Sequence, residues 1–366
     1  MDIVEVFKKS LLVAAEKSAS DIHVSAGGPL RMRVGGEVIP VDDSPTLTPE
    51  HTEAIGREIL INSRKANEKT VDEMIRILTE LDCSYSYPGL GRFRVNLCSQ
   101  RGSVAAVLRA IPDIIPTFET LGLPPVLNEI AMEDRGMILV TGTTGSGKTS
   151  TLAAMVGYVN ERKARKIVTI EDPIEFLHRD LKSIVIQREL GNDTDGFEPA
   201  LRAALRQDPD IIMIGEMRDR ITIDIALKAA ETGHLIFSTL HTTDAARAVT
   251  RLASVFEPNE QLSVRKRLSE VLKAVVSQRL LPRVGGPSRV LAVEVMRNTA
   301  AIEECIADPD KTMLMAEFIA QGGPAYGMRT FDQHLTELHA SGLISREVAI
   351  AAAASPADFE RNLQFQ

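Results

Sequence analysis

Hydrophobic and polar residues follow different patterns in two parts of the chain, and the change of pattern predicts two domains. The first part opens with an amphipathic helix, followed by short runs of alternating apolar and polar residues that Gly and Pro separate. Helical stretches near 48–61 and 66–80 interrupt these runs. The runs are 22–24, 30–34, 37–41, 83–87, 92–98 and 103–110. This pattern predicts a small α+β domain over residues 1–110, whose last three runs are adjacent antiparallel strands.

Residues 111–125 carry four prolines and little periodic pattern, which predicts a linker. Beyond the linker, continuous apolar runs alternate with helical stretches. Such runs predict a parallel sheet buried on both faces, and therefore an α/β domain over 126–366. Its C-terminal region, from about 297 to 366, reads as mostly helical. The apolar runs are 137–142, 167–172, 184–187, 211–216 and 234–241.

Composition narrows the class of protein without identifying one. Of the 366 residues 44% are hydrophobic and 25% are charged, which is the balance of a globular protein of two domains. The net charge of −8 gives no overall basic footprint, so we expect no direct nucleic-acid partner. Three cysteines form neither a disulfide framework nor a four-cysteine zinc site, and they suit a reducing cytosol. The N-terminus lacks the apolar core of a signal peptide, and we expect no transmembrane segment.

A glycine-rich motif after the first apolar run of the second domain is the most specific chemical signal. Residues 142–149 read GTTGSGKT, a complete P-loop pattern that follows a strand and opens a helix. The glycines let backbone N–H groups approach phosphate oxygens at the helix N-terminus, where the helix dipole favours anions. The motif predicts ATP and Mg²⁺ as cofactors, with Lys148 on the β- and γ-phosphates and the Thr149 hydroxyl on the metal. The predicted nucleotide-binding residues are Gly142, Thr143, Thr144, Gly145, Ser146, Gly147, Lys148, Thr149 and Ser150.

Acidic residues follow two of the predicted parallel strands, where such sheets place their ligands. One cluster contains Glu171, Asp172 and Glu175, and the other is Glu216. Hydrolysis of ATP requires carboxylates that hold metal and orient water, so we predict catalytic roles for all four, with Glu171 as a further Mg²⁺ ligand. Solvated loop acids are the alternative interpretation. Asp210 precedes its strand and is expected to be structural.

Two histidines flank the apolar run 234–241. His241 ends the run at the predicted ligand edge, and we predict that it senses the γ-phosphate or the conformation of the site. His234, which begins the run, is the second candidate. A core histidine whose ring nitrogens are satisfied is the alternative for each.

These stretches together resemble the Walker A, Asp-box, Walker B and His-box elements of the type II/type IV secretion ATPases. In chain order they are GTTGSGKTSTLAAM, TIEDPIEF, RQDPDIIMIGEMRD and AAETGHLIFSTLHTTDAA. The resemblance extends to ASDIHVSAG (19–27), GRFRVN (91–96) and GMRTFDQHL (327–335), so it covers nearly the whole chain. It implies a PAS-like N-terminal domain and a RecA-like C-terminal domain with ATP between them, usually in a homohexameric ring.

Carried over by position, the resemblance makes Glu216 the catalytic glutamate and assigns Glu171 to Glu175 to the Asp box. Arg94 and Arg109 match the N-terminal arginine fingers of the family, and their spacing fits two neighbouring strands that present both on one side. Arginine neutralises the developing phosphoryl charge, so a mobile domain that delivers it couples hydrolysis to movement. Solvated strand faces are the alternative for these arginines.

The resemblance implies a motor that retracts type IV pili and drives twitching motility. Such a motor works in the cytoplasm, peripheral to the inner membrane, on a pilus platform protein and in some cases with a paralogous pilus ATPase. Assembly ATPases of the family usually carry a tetracysteine zinc insert, and its absence here favours the retraction branch. The retraction motif AIRNLIRE of the family is AIEECIAD at 301–308, with Glu303 and Ala307 at the arginine positions. An accessory retraction ATPase, a secretion or DNA-uptake motor, and a non-hydrolysing ring scaffold therefore stay open as alternatives.

Overall fold

The structure is a computed structural model that describes residues 2–112, 114–286 and 288–363. It divides into two compact units, each of which is described by itself below. The first comprises residues 1–114 with the short segments 175–177 and 191–193, and the second comprises the remainder.

The first unit is an antiparallel sheet of six strands with helices that cover one face. Its strand order is β3-β2-β1-β6-β5-β4, and all neighbouring strands are antiparallel. Apolar side chains of the helices, such as Phe7, Leu11 and Ile59, are fully buried in one core with Val95 and Leu97 of the sheet. The elements are α1 (Ile3–Glu16), β1 (Asp21–Val24), β2 (Arg31–Val34), β3 (Glu37–Pro40), α2 (Pro49–Asn62), α3 (Val71–Ile77), β4 (Glu80–Tyr87), β5 (Gly91–Gln100) and β6 (Ser103–Ala110).

The second unit contains a sheet of seven strands, in the order β13-β12-β7-β11-β10-β8-β9. Every neighbouring pair is parallel except β12 and β13. The strands are β7 (Gly136–Gly142), β8 (Lys166–Glu171), β9 (Ile184–Glu189), β10 (Ile211–Ile214), β11 (Leu235–Leu240), β12 (Leu272–Pro282) and β13 (Arg289–Arg297). The helices among them are α4 (Val126–Ala131), α5 (Lys148–Arg162), α6 (Phe197–Ala204), α7 (Arg220–Glu231), α8 (Ala245–Ser254) and α9 (Gln261–Val271).

The five predicted apolar runs correspond to β7–β11, and β7, β10 and β11 are buried along their whole length, as a doubly covered sheet requires. The antiparallel pair β12 and β13 was not predicted. The proline-rich segment 111–125, of which Asp113 lies outside the described residues, forms no helix or strand where it is described. Phe118 and Leu123 nevertheless lie buried in the core of the second unit, so the later half of this segment is anchored there.

The chain ends in helices, as predicted, up to the last described residue, 363. Three of them pack on the outer strands β12 and β13, where they form a small separate core. The C-terminal helices are α10 (Ala300–Ala307), a 3-10 helix (Pro309–Leu314), α11 (Met315–Gln321), α12 (Gly323–Tyr326), α13 (Phe331–Ala340), α14 (Arg346–Ala352) and α15 (Pro356–Leu363). Over the residues that the structure describes, no helix combines the length and apolarity needed to cross a membrane.

Candidate active site

The P-loop joins β7 to α5, and its shape depends on glycine. Gly142, Gly145 and Gly147 have φ angles of 147°, 76° and 90°, a region that favours glycine. A Cβ atom at Gly142 would lie 2.4 Å from the Ser146 Oγ and 2.6 Å from the carbonyl oxygen of Gln278, so a side chain has no room there. The loop ends at Gly147, the N-cap of α5, which has no side chain to cover the first backbone N–H groups of the helix. This is the geometry in which a helix N-terminus receives a phosphate.

Lys148, the first residue of α5, is buried against the loop that precedes it. Its Nζ donates hydrogen bonds of 2.9 Å to the carbonyl oxygens of Gly142 and Thr143. Ser146 is also buried, and its Oγ has no hydrogen-bond partner among the described residues. A buried hydroxyl without a partner is unfavourable unless a ligand satisfies it, which suits a loop that receives phosphate oxygens.

The residues predicted to hold Mg²⁺ suit the way proteins bind this ion. Mg²⁺ usually keeps several waters and takes one or two protein ligands together with substrate phosphates. Thr149 lies in the first turn of α5 and Glu171 at the end of β8, and they offer a hydroxyl and a carboxylate. In the described part of the chain, no group of three or more His, Cys, Asp or Glu could hold a metal by itself. The Thr149 hydroxyl and the Glu171 carboxylate are oxygen ligands of the kind that Mg²⁺ takes beside nucleotide phosphates, so their chemistry fits the ion.

Glu216 follows β10 by two residues and meets His241. The backbone just before Glu216 is held against the neighbouring strand β11, because the Thr239 Oγ1 donates a hydrogen bond of 2.6 Å to the Gly215 carbonyl oxygen. The carboxylate pairs with the Arg218 Nη2 at 2.6 Å, and the His241 Nε2 lies 3.4 Å from its other oxygen. Glu216 is therefore held between an exposed arginine and the histidine that directly follows the neighbouring strand β11.

Glu171 is buried at the end of β8 and accepts two hydrogen bonds on one oxygen. The Thr169 Oγ1 donates at 2.6 Å and the Gln187 Nε2 donates at 3.0 Å. Asp172 follows it and is exposed. Glu175 belongs to the first unit, so its predicted role stays a prediction.

The strand register gathers most of the predicted residues at one edge of the sheet. β7, β11, β10 and β8 are consecutive parallel neighbours, and their carboxyl ends lead into the P-loop, His241, Glu216 and Glu171. Parallel α/β sheets bind ligands at this edge.

His234 is not brought to this edge. Its carbonyl accepts from the Gly136 N–H at the start of β7, so it lies at the opposite end of β11 from His241. Its Nδ1 lies 2.9 Å from the carbonyl oxygen of Ala229. This local contact matches the alternative of a satisfied histidine, and the geometry gives no support to its predicted catalytic role.

Asp210 is structural, as expected. Its carboxylate accepts from the Lys166 N–H at 2.8 Å and from the Arg165 Nη1 at 2.9 Å. It thereby joins the beginnings of β8 and β10, far along both strands from the acids at their ends.

The two predicted finger arginines lie directly opposite each other in the first unit. Arg94 of β5 pairs in register with Arg109 of β6, which pairs in register with Asp21 of β1. Residues in register on neighbouring strands share a face of the sheet. Both arginines are exposed, and their role as fingers stays a prediction.

Asp21 holds Arg109 through a buried carboxylate. The Arg109 Nε donates to one oxygen at 2.8 Å, and the Ser20 Oγ donates to the other at 2.8 Å. Burial alone raises the pKa of Asp21, but the hydrogen bonds from Ser20 and Arg109 outweigh it, so the pKa lies below its ordinary value. Asp21 is therefore ionised at neutral pH and holds the Nε of the Arg109 guanidinium.

Comparison with known proteins identifies the family. The family model described as type II/IV secretion system protein matches residues 1–319 of this chain. The chain belongs to this family. The resemblance inferred from the four motifs is thus confirmed, and so is the predicted fold class.

Full-length relatives of this type II/IV secretion system protein include named pilus ATPases. The type IV pilus retraction ATPase PilT of Pseudomonas aeruginosa is 46% identical over 359 residues, which cover 98% of this chain and 100% of PilT. The type IV pilus ATPase PilU of the same organism is 41% identical over 96% of this chain and 90% of PilU. Among solved structures, the pilus retraction motor PilT with bound ADP aligns with a TM-score of 0.86 and 43% identity over 99% of both chains.

Sequence reasoning missed two partners of the site residues in this family member. Arg218 stands two residues after Glu216 in the Walker B stretch, and Asp21 stands in ASDIHVSAG. Both were inside motifs already singled out, but only the structure shows what they contact. A charged residue beside a predicted catalytic residue was the available signal for Arg218.

Proposed function

We propose that this protein hydrolyses ATP in a ring and uses the energy to retract type IV pili. The observation that carries the enzymatic part is the pairing of Glu216 with His241 at the sheet edge that also bears the P-loop and Glu171. The pilus part is supported by the full-length similarity to proteins named as pilus retraction and pilus ATPases.

In this proposal the P-loop binds the phosphates and Glu216 orients the attacking water. Lys148 exchanges its contacts with the Gly142 and Thr143 carbonyls for phosphate oxygens, which are stronger acceptors because they are charged. Arg218 and His241 each contact one oxygen of the Glu216 carboxylate and so fix its orientation. Thr149 and Glu171 would hold Mg²⁺ that arrives with ATP, and the ion would supply positive charge beside the phosphates.

The arginines of the first unit complete the proposed site. Arg94 and Arg109 offer two adjacent guanidinium groups, which suit the charge that develops on the transferred phosphoryl group. Hydrolysis then depends on the position of the N-terminal domain, which couples chemistry to movement. The family resemblance favours six subunits, a membrane platform protein as the partner that is driven, and a location at the cytoplasmic base of the pilus.

An accessory retraction motor is the second candidate, favoured by one observation. In AIEECIAD, which forms α10, Glu303 is exposed where the family motif has arginine. An acidic side chain there cannot make the contacts of an arginine, so retraction could require a paralogous motor. Motors for secretion or DNA uptake share the same ATPase site and are distinguished only by their cargo.

One substitution tests both the proposed ATPase activity and the proposed pilus function. Lys148→Ala should abolish ATPase activity and weaken binding of Mg·ATP while the protein remains folded, since α5 is held by its apolar face. Lys228→Ala, an exposed lysine of α7, is the matched control. A thermal melt far below that of the wild type would instead show that Lys148 is structural.

The cellular test uses a deletion strain of the encoding organism scored for pilus retraction and twitching. The wild-type gene should restore both, and the Lys148→Ala gene should restore neither. Full restoration only when a paralogous ATPase is present would favour the accessory motor. Normal retraction in the deletion strain would contradict a pilus function while leaving the ATPase assignment intact.

The ring is tested separately. Mass photometry with nucleotide should show a species near six times the 40.0 kDa chain mass, held by head-to-tail contacts that close. A strictly monomeric protein with full ATPase activity would contradict the ring.

A further inference from the structure

A buried carboxyl group lies in the same sheet as the predicted site, but on the edge strand β13. Glu294 of β13 is only 7% exposed, between the fully buried Val293 and Val295. Over the described residues, no Lys, Arg or His nitrogen lies within ion-pairing distance of it. A buried carboxyl without a cationic partner is costly to a fold, so its hydrogen bonds must explain its presence.

One oxygen of Glu294 joins a helix to two strands. The backbone N–H of Ala245, the first residue of α8, donates to the Oε1 at 2.9 Å. The Ser277 Oγ of β12 donates to the same oxygen at 3.4 Å, and the Thr141 Oγ1 of β7 donates to the Ser277 Oγ at 3.0 Å. Thr141 immediately precedes Gly142, so this chain of bonds runs from the start of the P-loop to the start of α8.

The segment between β11 and α8 is short and carries His241. Residues 241–244 join Leu240, which pairs in register with Thr141, to Ala245, which Glu294 holds. Asp244 caps α8 by accepting from the Arg247 N–H at 2.8 Å. Because four residues span two fixed points, the position of Ala245 restricts where His241 can lie relative to Glu216.

We propose that Glu294 is a positioning residue for ATP hydrolysis, which fixes the His241 loop relative to the P-loop strand through Ala245 and Ser277. The inference rests on the proposed function, because the site that it positions is the hydrolysis site. Glu294 does not touch nucleotide in this scheme. It acts through His241, whose imidazole contacts the Glu216 carboxylate.

Substitutions at Glu294 separate positioning from simple stability. Glu294→Gln keeps an oxygen that accepts from Ala245 and Ser277, whereas Glu294→Leu keeps similar volume and removes the acceptor. We expect Glu294→Leu to lower kcat about 10- to 50-fold with ATP affinity changed less than about threefold, and Glu294→Gln to recover most of this loss. Thr250→Ala, an exposed position on the same helix α8, is the matched control.

A double-mutant cycle with His241→Ala gives a result that a merely structural role would not produce. If Glu294 acts by placing His241, the Leu substitution should have little further effect on kcat once His241 is removed. If Glu294 only stabilises the fold, Glu294→Leu should leave kcat per folded site unchanged, and if it acts on catalysis by another route, its effect should multiply with that of His241→Ala. Either result would overturn the proposal. Should Glu294→Leu fail to fold, Ser277→Ala cuts the same chain of bonds and replaces it in the cycle.

Hydrogen exchange keeps this test independent of turnover. The amides of residues 241–245 should exchange faster in the Leu variant than in the wild type, and near the wild-type rate in the Gln variant. Unchanged exchange in the Leu variant would overturn the proposal even if activity fell. A wild-type protein without ATPase activity would contradict the proposed function, whereas the exchange data would still decide whether Glu294 holds the loop.

Discussion

The two groups of predicted site residues are built in opposite ways. In the second unit, Lys148 and Glu171 are 8% and 5% exposed, and each is held by hydrogen bonds inside the unit. Glu216 is held by Arg218 and His241. Groups fixed in advance lose little freedom when a ligand binds, so we expect Glu171 and Glu216 to move little when ATP binds, whereas Lys148 exchanges its loop carbonyls for phosphate oxygens.

The arginines of the first unit are not prepared in this way. The Arg109 side chain is 69% exposed, and the buried carboxylate of Asp21 holds only its Nε. Arg94 beside it is exposed as well. Exposed guanidinium groups stay hydrated and mobile until they meet a phosphate. We therefore expect substitutions in the P-loop of the second unit to affect ATP binding, and substitutions of the two arginines to affect mainly the hydrolysis step.

The largest expected effect is at Glu216. Glu216→Gln keeps the shape of the side chain but cannot accept a proton from water, so kcat should fall by a factor on the order of 10²–10⁴ with ATP binding retained. Steady-state ATPase rates and nucleotide affinity should be measured separately. Glu198→Gln, at a half-buried position on α6 where the carboxylate pairs with Arg202, is the control. Near-normal turnover in Glu216→Gln would remove Glu216 from the mechanism.

The next largest expected effect is at the two predicted finger arginines, and it tests the contrast between the buried site residues and the exposed arginines. Arg94→Ala and Arg109→Ala should each lower kcat about 10- to 10³-fold and change ATP affinity less, because the charge that they stabilise grows in the transition state. The double variant should lose less than the product of the single losses, because one missing finger already leaves the site incomplete. Arg76→Ala, an exposed arginine of α3, is the control. Normal turnover in the double variant would leave the N-terminal domain only an assembly role.

The sequence predicted those parts of the fold and site whose signal is local. The central strands are continuous apolar runs, and the P-loop pattern carries its own strand, turn and helix. Glu216 and His241 follow such runs directly, so the rule for parallel sheets placed them at one edge. The same rule disfavours the catalytic role that we predicted for His234, because His234 begins a run rather than ending one and so lies at the opposite edge from the P-loop.

The parts that could not be predicted depend on contacts between distant residues. In β12 and β13 the buried positions include Ser277, Gln278 and Glu294, which interrupt the apolar pattern by which a buried strand is recognised. Their burial depends on residues far along the chain that bond to them, as Thr141 does to Ser277 and Thr151 does to the Gln278 Nε2. Likewise, Asp21 meets Arg109 across 88 positions, a pairing that strand order alone decides.

A smaller effect is expected on stability, at Glu294. Burial raises the pKa of Glu294 to about 7, and the charge of Asp244, the N-cap of α8, adds to this shift. The hydrogen bond from the Ala245 N–H, the Arg279 guanidinium on β12 and the Ser277 hydroxyl oppose it. The buried His334 of α13 packs against the same strand. Between its ordinary pKa, near 4.5, and about 7, the folded protein keeps a proton that the unfolded chain releases. The free energy of unfolding that Glu294 contributes therefore falls as pH rises through this window and stays low above it.

Glu294→Gln removes this titration, so its stability relative to the wild type should increase between pH 5 and pH 8 by on the order of 2–3 kcal/mol. Thermal melts of both proteins at several pH values measure the difference, because other titrating groups are common to the two. Glu317→Gln, at an exposed position on α11, should show no such change. A stability difference that is constant with pH would mean that Glu294 does not titrate in this range.

The smallest expected effect is at Asp21. This buried carboxylate accepts a hydrogen bond from the exposed Arg109, so it tests how far a fixed group orients an exposed arginine. Asp21→Asn keeps the size of the side chain but replaces a charge-assisted hydrogen bond with a neutral one, so Arg109 should be oriented less firmly. We expect kcat to fall about two- to tenfold with ATP affinity unchanged. Asp42→Asn, an exposed aspartate of the same unit that pairs with Lys17, is the control. The decisive comparison is in the Arg109→Ala background, where Asp21→Asn should have no further effect on kcat. An equal loss in both backgrounds would show that Asp21 supports the sheet rather than the arginine.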